Sequence, residues 1–215
     1  MKNLFNYDEC TVKDELKKYD EPWKIVSHIS EIVETKIKTL DKKDYLVEGN
    51  VYIHKTCRVD KNCHIDGPCV IGENTELRPG AFIRGNVIVG NNCVIGNSCE
   101  LKNSIVFNEA QIPHFNYVGD SIIGYKAHLG AGAITSNLKS DRSNIKIKDS
   151  SEVIDTNLQK FGALVGDCAE VGCNTVLNPG TVIGKNTTIY PLSLVRGVVK
   201  ENSIYKGPNN IIDKK

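Results

Sequence analysis

Between Ile53 and Leu101 every sixth residue is aliphatic: Ile53, Val59, Ile65, Ile71, Leu77, Ile83, Val89, Ile95 and Leu101. The same frame returns as Val165, Val171, Leu177, Ile183, Ile189 and Val195. A helix brings residues back to one face roughly every 3.6 positions and a strand at every second one, so neither explains this interval. Short strands separated by turns and wound into a coil do explain it. The repeat residues would line the interior of the coil, and polar residues between them would meet water. With three six-residue units to a triangular coil, the chain is expected to form roughly seven coils.

Small side chains stand two places before most repeat residues. They are Cys57, Cys63, Cys69, Thr75, Ala81, Cys93 and Cys99 in the first run, and Ala169, Thr175, Thr181, Thr187 and Ser193 in the second. This slot is read as inward-facing, near a corner. It accounts for five of the 8 cysteines as small hydrophobes. With no C-x-x-C pair, neither a disulfide framework nor a zinc site is expected. Gly72, Gly90, Gly96, Gly166, Gly172 and Gly184 each follow a repeat residue, where turns with unusual backbone angles are expected.

Residues 1–48 are read as an N-terminal helical segment. Asp20 is the expected N-cap, Glu21 and Pro22 suit a first turn, and Ile25, Val26, Ile29, Ile32, Val33 and Ile37 follow at helical spacing. Such a helix is expected to cap the open end of the coil or to pack on a neighbouring subunit. The coil occupies 49–200. Its step loosens after Leu101, with Ile112 and Ile123 each arriving a residue early, so 112–142 is where a site is expected. Residues 136–162 break the repeat. Ile145–Lys148 and Glu152–Asp155 flank Asp149-Ser150-Ser151 and read as a projecting hairpin with a polar tip. Residues 201–215 read as a loose basic tail.

Lys and Arg number 27 against 26 Asp and Glu, which gives no reason to expect a nucleic-acid or membrane partner. No apolar run approaches the length of a membrane span or a signal peptide, so a cytoplasmic location is expected.

Two stretches are more specific than the repeat. They are Ile112-Pro113-His114-Phe115-Asn116-Tyr117-Val118-Gly119-Asp120 and Leu129-Gly130-Ala131-Gly132-Ala133-Ile134-Thr135-Ser136-Asn137. Over residues 50–200 the chain resembles the acetyltransferase half of the bifunctional glucosamine-1-phosphate acetyltransferase / N-acetylglucosamine-1-phosphate uridyltransferase family. Asn137-Leu138 and Lys160–Asp167 are similar to its archaeal-type sugar-phosphate nucleotidyltransferase branch. The resemblance implies an all-β fold, a left-handed parallel β-helix of hexapeptide repeats. It also implies a homotrimer with active sites in clefts between neighbouring coils, acetyl-CoA as acyl donor and an amino-sugar phosphate as acceptor.

By the same resemblance His114 is the catalytic base, a role that suits an imidazole taking a proton from an amine. Arg78 and Lys102 are the cations for the sugar phosphate. Tyr117, His128 and Asn137 occupy sugar-binding positions. Ala131, Cys173, Pro191 and Lys206 occupy positions facing CoA, and no metal site is implied. His128 replaces the usual asparagine, a bulkier and titratable group that alters either the substrate's orientation or the sugar accepted. Cys173 replaces a serine and Pro191 a small residue. Arg142 lies near the family's cross-subunit lysine. The first 50 residues hold no glycine-rich nucleotide loop, so no uridyltransferase activity is expected. A trimeric scaffold or sugar-nucleotide-binding regulator without turnover is the alternative from a different class. A trimeric hexapeptide carbonic anhydrase with a three-histidine zinc site is a weaker one, because His54, His64, His114 and His128 lack close ligand spacing.

Overall fold

The computed structural model describes residues 3–149 and 152–214. Ser150 and Ser151 of the expected hairpin tip, and Lys215, lie outside the described residues. The repeat builds a parallel β-solenoid of about 8 turns, one more than the spacing alone suggested. Three faces recur in each turn. Face 1 stacks His64–Asp66, Phe82–Arg84, the first halves of Glu100–Val106 and Tyr117–Ile123, Ile134–Thr135, Val176–Leu177 and Leu194–Val195. Face 2 runs from Val51–His54 through Cys69–Ile71, Val87–Val89 and the second halves of those two long strands to Ala163–Val165, Thr181–Ile183 and Val198–Val199. Face 3 runs from Arg58–Val59 through Glu76–Leu77, Val94–Asn97, Gln111–His114, His128–Leu129, Glu170–Val171 and Thr188–Ile189 to Ser203–Gly207.

The sixth-residue aliphatics point inward. Ile71, Ile83, Val89, Ile95, Leu101, Val165, Ile183 and Val195 are completely buried in one continuous core with Leu77, Val171, Leu177 and Ile189. At the first turn Val51, Ile53 and Ile65 are only partly covered and the repeat residue Val59 is 40% exposed, because no turn precedes them. The small slot is filled by groups that can donate a hydrogen bond as well as fit. Cys93 Sγ–H is directed at the Phe107 carbonyl at 3.0 Å and Cys99 Sγ–H at the Ile112 carbonyl at 3.1 Å. Thr75 and Thr187 donate likewise to Gly90 and Lys200 at 2.8 and 2.7 Å. Burial pushes the Cys69 and Cys93 thiols up to about 12.

The glycines after the repeat residues have a different reason from the one expected. None of Gly72, Gly90, Gly96, Gly166, Gly172 or Gly184 is left-handed. Asparagines take that conformation instead, as at Asn74, Asn92, Asn174 and Asn186 with φ of 54, 56, 53 and 54°. What fixes Gly96 is close approach, because a Cβ there would run into the backbone carbonyl of Pro113 in the next turn.

The N-terminal segment forms α1 (Lys13–Leu16), α2 (Pro22–Val26) and α3 (Ile29–Thr39). Glu21, not Asp20, is the N-cap of α2, with Pro22 in its first position. The helices lie along the side of the solenoid instead of closing its end. Leu16, Ile25, Val26, Ile29, Ile32 and Val33 pack on Ile88, Ile105, Ile122, Leu164 and Val182, the outward residues of face 2. Asp167 fastens the start of the chain there. It accepts the Asn6 and Tyr125 N–H groups at 2.6 and 3.0 Å and pairs with Lys185 at 3.1 Å.

The expected hairpin forms from Ile145–Lys148 and Val153–Leu158, leaving the solenoid between faces 1 and 2. It folds back: Ile145 and Ile147 are fully buried in the same cluster as the helices. The C-terminal segment is ordered, with Asn210–Asp213 antiparallel to Ser203–Gly207.

Candidate functional site

The two long strands Glu100–Val106 and Tyr117–Ile123 bend from face 1 to face 2 at Asn103 and Asp120, both left-handed with φ of 47 and 49°. The bend turns the Asp120 carboxylate into the corner, where the side chain is 5% exposed. Lys102 Nζ lies 3.4 Å from Asp120 Oδ2, the Asn103 amide donates to Oδ1 at 2.8 Å, and the Asn137 amide donates to Oδ2 in a short hydrogen bond. Asn137 Nδ2 also donates to the Tyr117 hydroxyl at 3.2 Å. Burial, then the Asp120 and Glu100 carboxylates, raise the Tyr117 phenol above its ordinary value, which keeps it a neutral hydrogen-bond donor. Gly119 makes this gathering possible, since a Cβ there would strike the Tyr117 hydroxyl and the Asn137 amide. Lys102, Tyr117 and Asn137, named from sequence, therefore meet around a carboxylate that sequence reasoning did not single out.

Arg78 is placed elsewhere. It follows Glu76–Leu77 on face 3, and its guanidinium pairs with Glu76 at 3.1 Å. The cation in line with Lys102 is Arg84. Register pairs Phe82 with Glu100 and Ile83 with Leu101, which sets Arg84 beside Lys102 on the next strand. Arg84 ion-pairs with Glu100, and the field of Tyr117 reaches it.

His114 ends the face 3 strand Gln111–His114 at the corner leading into Tyr117. Its ring is exposed while its backbone is fixed on both sides. The His114 N–H donates to Asn116 Oδ1 at 3.1 Å, and its carbonyl accepts from the Gly132 N–H at 3.0 Å. Asn116 is itself 2% exposed and donates to the Gly130 and Ala133 carbonyls at 2.8 and 3.1 Å. One buried amide thus ties the histidine corner to the glycine-rich corner stacked above it. Phe115, left-handed with φ of 55°, is 61% exposed beside the imidazole.

Ala131 lies in that glycine-rich corner, between N–H groups already engaged at Gly130, Gly132 and Ala133. Cys173 and Pro191 occupy the same corner one and two turns on, both exposed, with Leu192 81% exposed next to Pro191. Lys206 is exposed on the last face 3 strand, its ammonium 5.6 Å from the centre of the Tyr190 ring. His128 is on face 3, stacked between Gln111 and Glu170. The loop carrying Arg142 lies at the base of the hairpin. Among the described residues no group of three or more His, Cys, Asp or Glu side chains is arranged to hold a metal ion, and no helix is long and apolar enough to cross a membrane.

Residues 65–157 match the family model described as the GMPPB C-terminal domain. The chain is 34% identical over 198 residues to the bifunctional protein GlmU of Methanococcus aeolicus, a match covering 90% of this chain and 48% of that protein. It is 36% identical over 113 residues to GlmU of Methanococcus maripaludis, covering 52% of this chain and 27% of the relative. It thus spans about half the length of these relatives or less. In fold it is similar to a hexapeptide transferase family protein from Anaplasma phagocytophilum, with a TM-score of 0.50 at 15% identity over 75% of this chain and 77% of the other. Repeat, fold and relatives coincide: this chain has the hexapeptide-repeat solenoid fold and is similar to the C-terminal half of the bifunctional GlmU proteins.

Proposed function

We propose that this protein is an acetyl-CoA-dependent N-acetyltransferase whose acceptor is an amino sugar carrying a phosphate, and that it works as a homotrimer. The observation that carries the reading is the gathering of Lys102, Tyr117 and Asn137 around buried Asp120, one corner from an exposed His114 with a fixed backbone, in a chain akin to GlmU proteins. Lys102 and Arg84 hold the phosphate, a dianion that a planar guanidinium and an ammonium bind together. Tyr117 and Asn137 orient the sugar hydroxyls.

The imidazole of His114 accepts a proton from the amine as its nitrogen bonds to the thioester carbonyl carbon. The Gly132 and Ala133 N–H groups are committed to the His114 and Gly130 carbonyls, which leaves the Ala131 N–H to meet the oxyanion. Collapse of the tetrahedral intermediate breaks the carbon–sulfur bond, and the sulfur leaves with the proton returned by His114. Exposed Phe115, Ile134, Tyr190, Leu192 and Leu194 flank this edge of the solenoid. A second copy packed there makes the cleft and brings its own corner to the acceptor.

The test is acetyl-CoA consumption with glucosamine 1-phosphate, run on the wild type and on His114→Ala. The variant is expected to lose about 10²- to 10⁴-fold in kcat with its sedimentation unchanged. A variant that turns over at the wild-type rate overturns the mechanism. Binding of both substrates to the wild type without product favours the scaffold reading.

A further inference from the structure

A polar groove opens along the same face as this cluster and takes no part in the chemistry above. It is a groove of about 620 Å³ between the inner hairpin strand and the last turns of face 1. Lys139, Lys146, Lys148 and Arg196 line it, with Ser136 and Asn178. Asp141 is the one carboxylate among its lining residues, and it already accepts from the N–H and hydroxyl of Ser143. Lys146 reaches Asp155 only at 3.7 Å, and both groups are about half exposed. Among the described residues Lys148 and Arg196 have no salt-bridge partner. Four cations against one occupied carboxylate, in a concave groove, concentrate positive potential where a ligand would lie.

The groove is in line with the Lys102 cluster. Register pairs Thr135 with Leu177 and Leu177 with Val195, so Ser136, Asn178 and Arg196 stack in one column. Followed back, the column passes through Gly119 to Lys102. Four inter-strand steps of about 4.8 Å put Arg196 roughly 19 Å from Lys102 along the axis. A single sugar phosphate satisfies only one end of that line. Filling both ends takes a ligand with further phosphates, and Leu138 and Pro179 give the groove an apolar border against which a flat base can rest.

We propose that this groove binds a nucleoside diphosphate unit. Either substrate of the proposed transfer can bring one: the acceptor, if it is a nucleotide-linked amino sugar, or the acyl donor, through its adenosine diphosphate. The assignment to a substrate rests on that proposed transfer, while the diphosphate groove does not.

Calorimetric titration of ADP and UDP into the wild type and into Lys148→Ala/Arg196→Ala, at one salt concentration, tests it. The double variant is expected to bind at least about tenfold more weakly, with glucosamine 1-phosphate affinity within twofold and melting temperature unchanged. Arg196→Glu, a surface charge reversal, should reproduce the loss. Equal affinity of ADP and UDP for all three proteins, or no binding to the wild type at millimolar concentration, overturns the proposal. Acetyl-CoA and UDP-glucosamine, titrated in parallel, identify the source by which of them loses affinity; if neither does while ADP or UDP still does, the assignment to a substrate is overturned and the groove stands. If glucosamine 1-phosphate binds no protein while ADP still separates wild type from variant, the acceptor proposed above is wrong and the groove stands.

Discussion

The buried amide of Asn116 connects more of the candidate site than any charged group. It receives the His114 N–H and gives both its protons to carbonyls of the next turn. Asn116→Ala leaves those groups unpaired in a dry corner, at about 3 kcal/mol. Thermal unfolding should fall by about 10 °C, and acetyl transfer should fall with it, because the backbone bearing the imidazole is released. Unchanged stability would show the corner held by other means. His114, Tyr117 and Asn137 were legible as members of two compact motifs, and Lys102 through the resemblance alone. Asp120 sat inside the first of these, but its role depends on a strand bend that no local pattern announces. Arg84 carried a signal that was passed over. It precedes Lys102 by eighteen residues, one full turn of three six-residue units, whereas Arg78 precedes it by a turn and one further face.

The solenoid strands record which side is covered. On face 2 the middle residue of each strand is apolar as well as the repeat residue, as in Cys69-Val70-Ile71, Val87-Ile88-Val89 and Thr181-Val182-Ile183. On face 1, Phe82-Ile83-Arg84 presents a charge to solvent. Strands apolar throughout are buried on both sides, so the place of the N-terminal helices was written in the sequence at an interval of a full turn. The six-residue frame alone hid it, since that frame samples only the interior. The hairpin's resting place was not legible, because Ile145 and Ile147 alternate with lysines as they would in any half-exposed strand. The turns in turn depend on close stacking. Gly96→Ala drives a methyl group into the Pro113 backbone, and with no flexible side chain to yield, the turn carrying His114 must shift. A drop in melting temperature of more than about 10 °C, or failure to fold, is expected; a wild-type melting curve would contradict the close packing.

Taken whole, the molecule is a prism with thiols sealed inside it and, at Cys10, beneath the N-terminal segment packed on its side, and that sets its response to alkali. Burial pushes Cys10, Cys69 and Cys93 up to about 12 from an ordinary 9.0. Above pH 9 an unfolded chain releases these protons while the folded chain keeps them. The stability they contribute is therefore complete below pH 9 and is lost progressively as pH rises toward 12. Melting temperatures taken between pH 8 and 11 under reducing conditions should fall steadily. Cys93→Thr, which places in that slot the residue already used at Thr75, should flatten the slope. A profile that is level to pH 11 would mean that the thiols ionise without cost to the fold.

The anchoring of Asn6 on Asp167 has a consequence for biogenesis. These partners are 161 positions apart, so the residues around Asn6 leave the ribosome long before the turn that carries Asp167 and must wait for it before they can dock. Until then Trp23, Ile25, Ile29 and Val33 have only part of the surface they will finally cover. Closing so distant a contact is slow, and uncovered apolar residues invite association with other chains in the meantime. The sheath that completes the native molecule is thus the part of the nascent one most in need of protection.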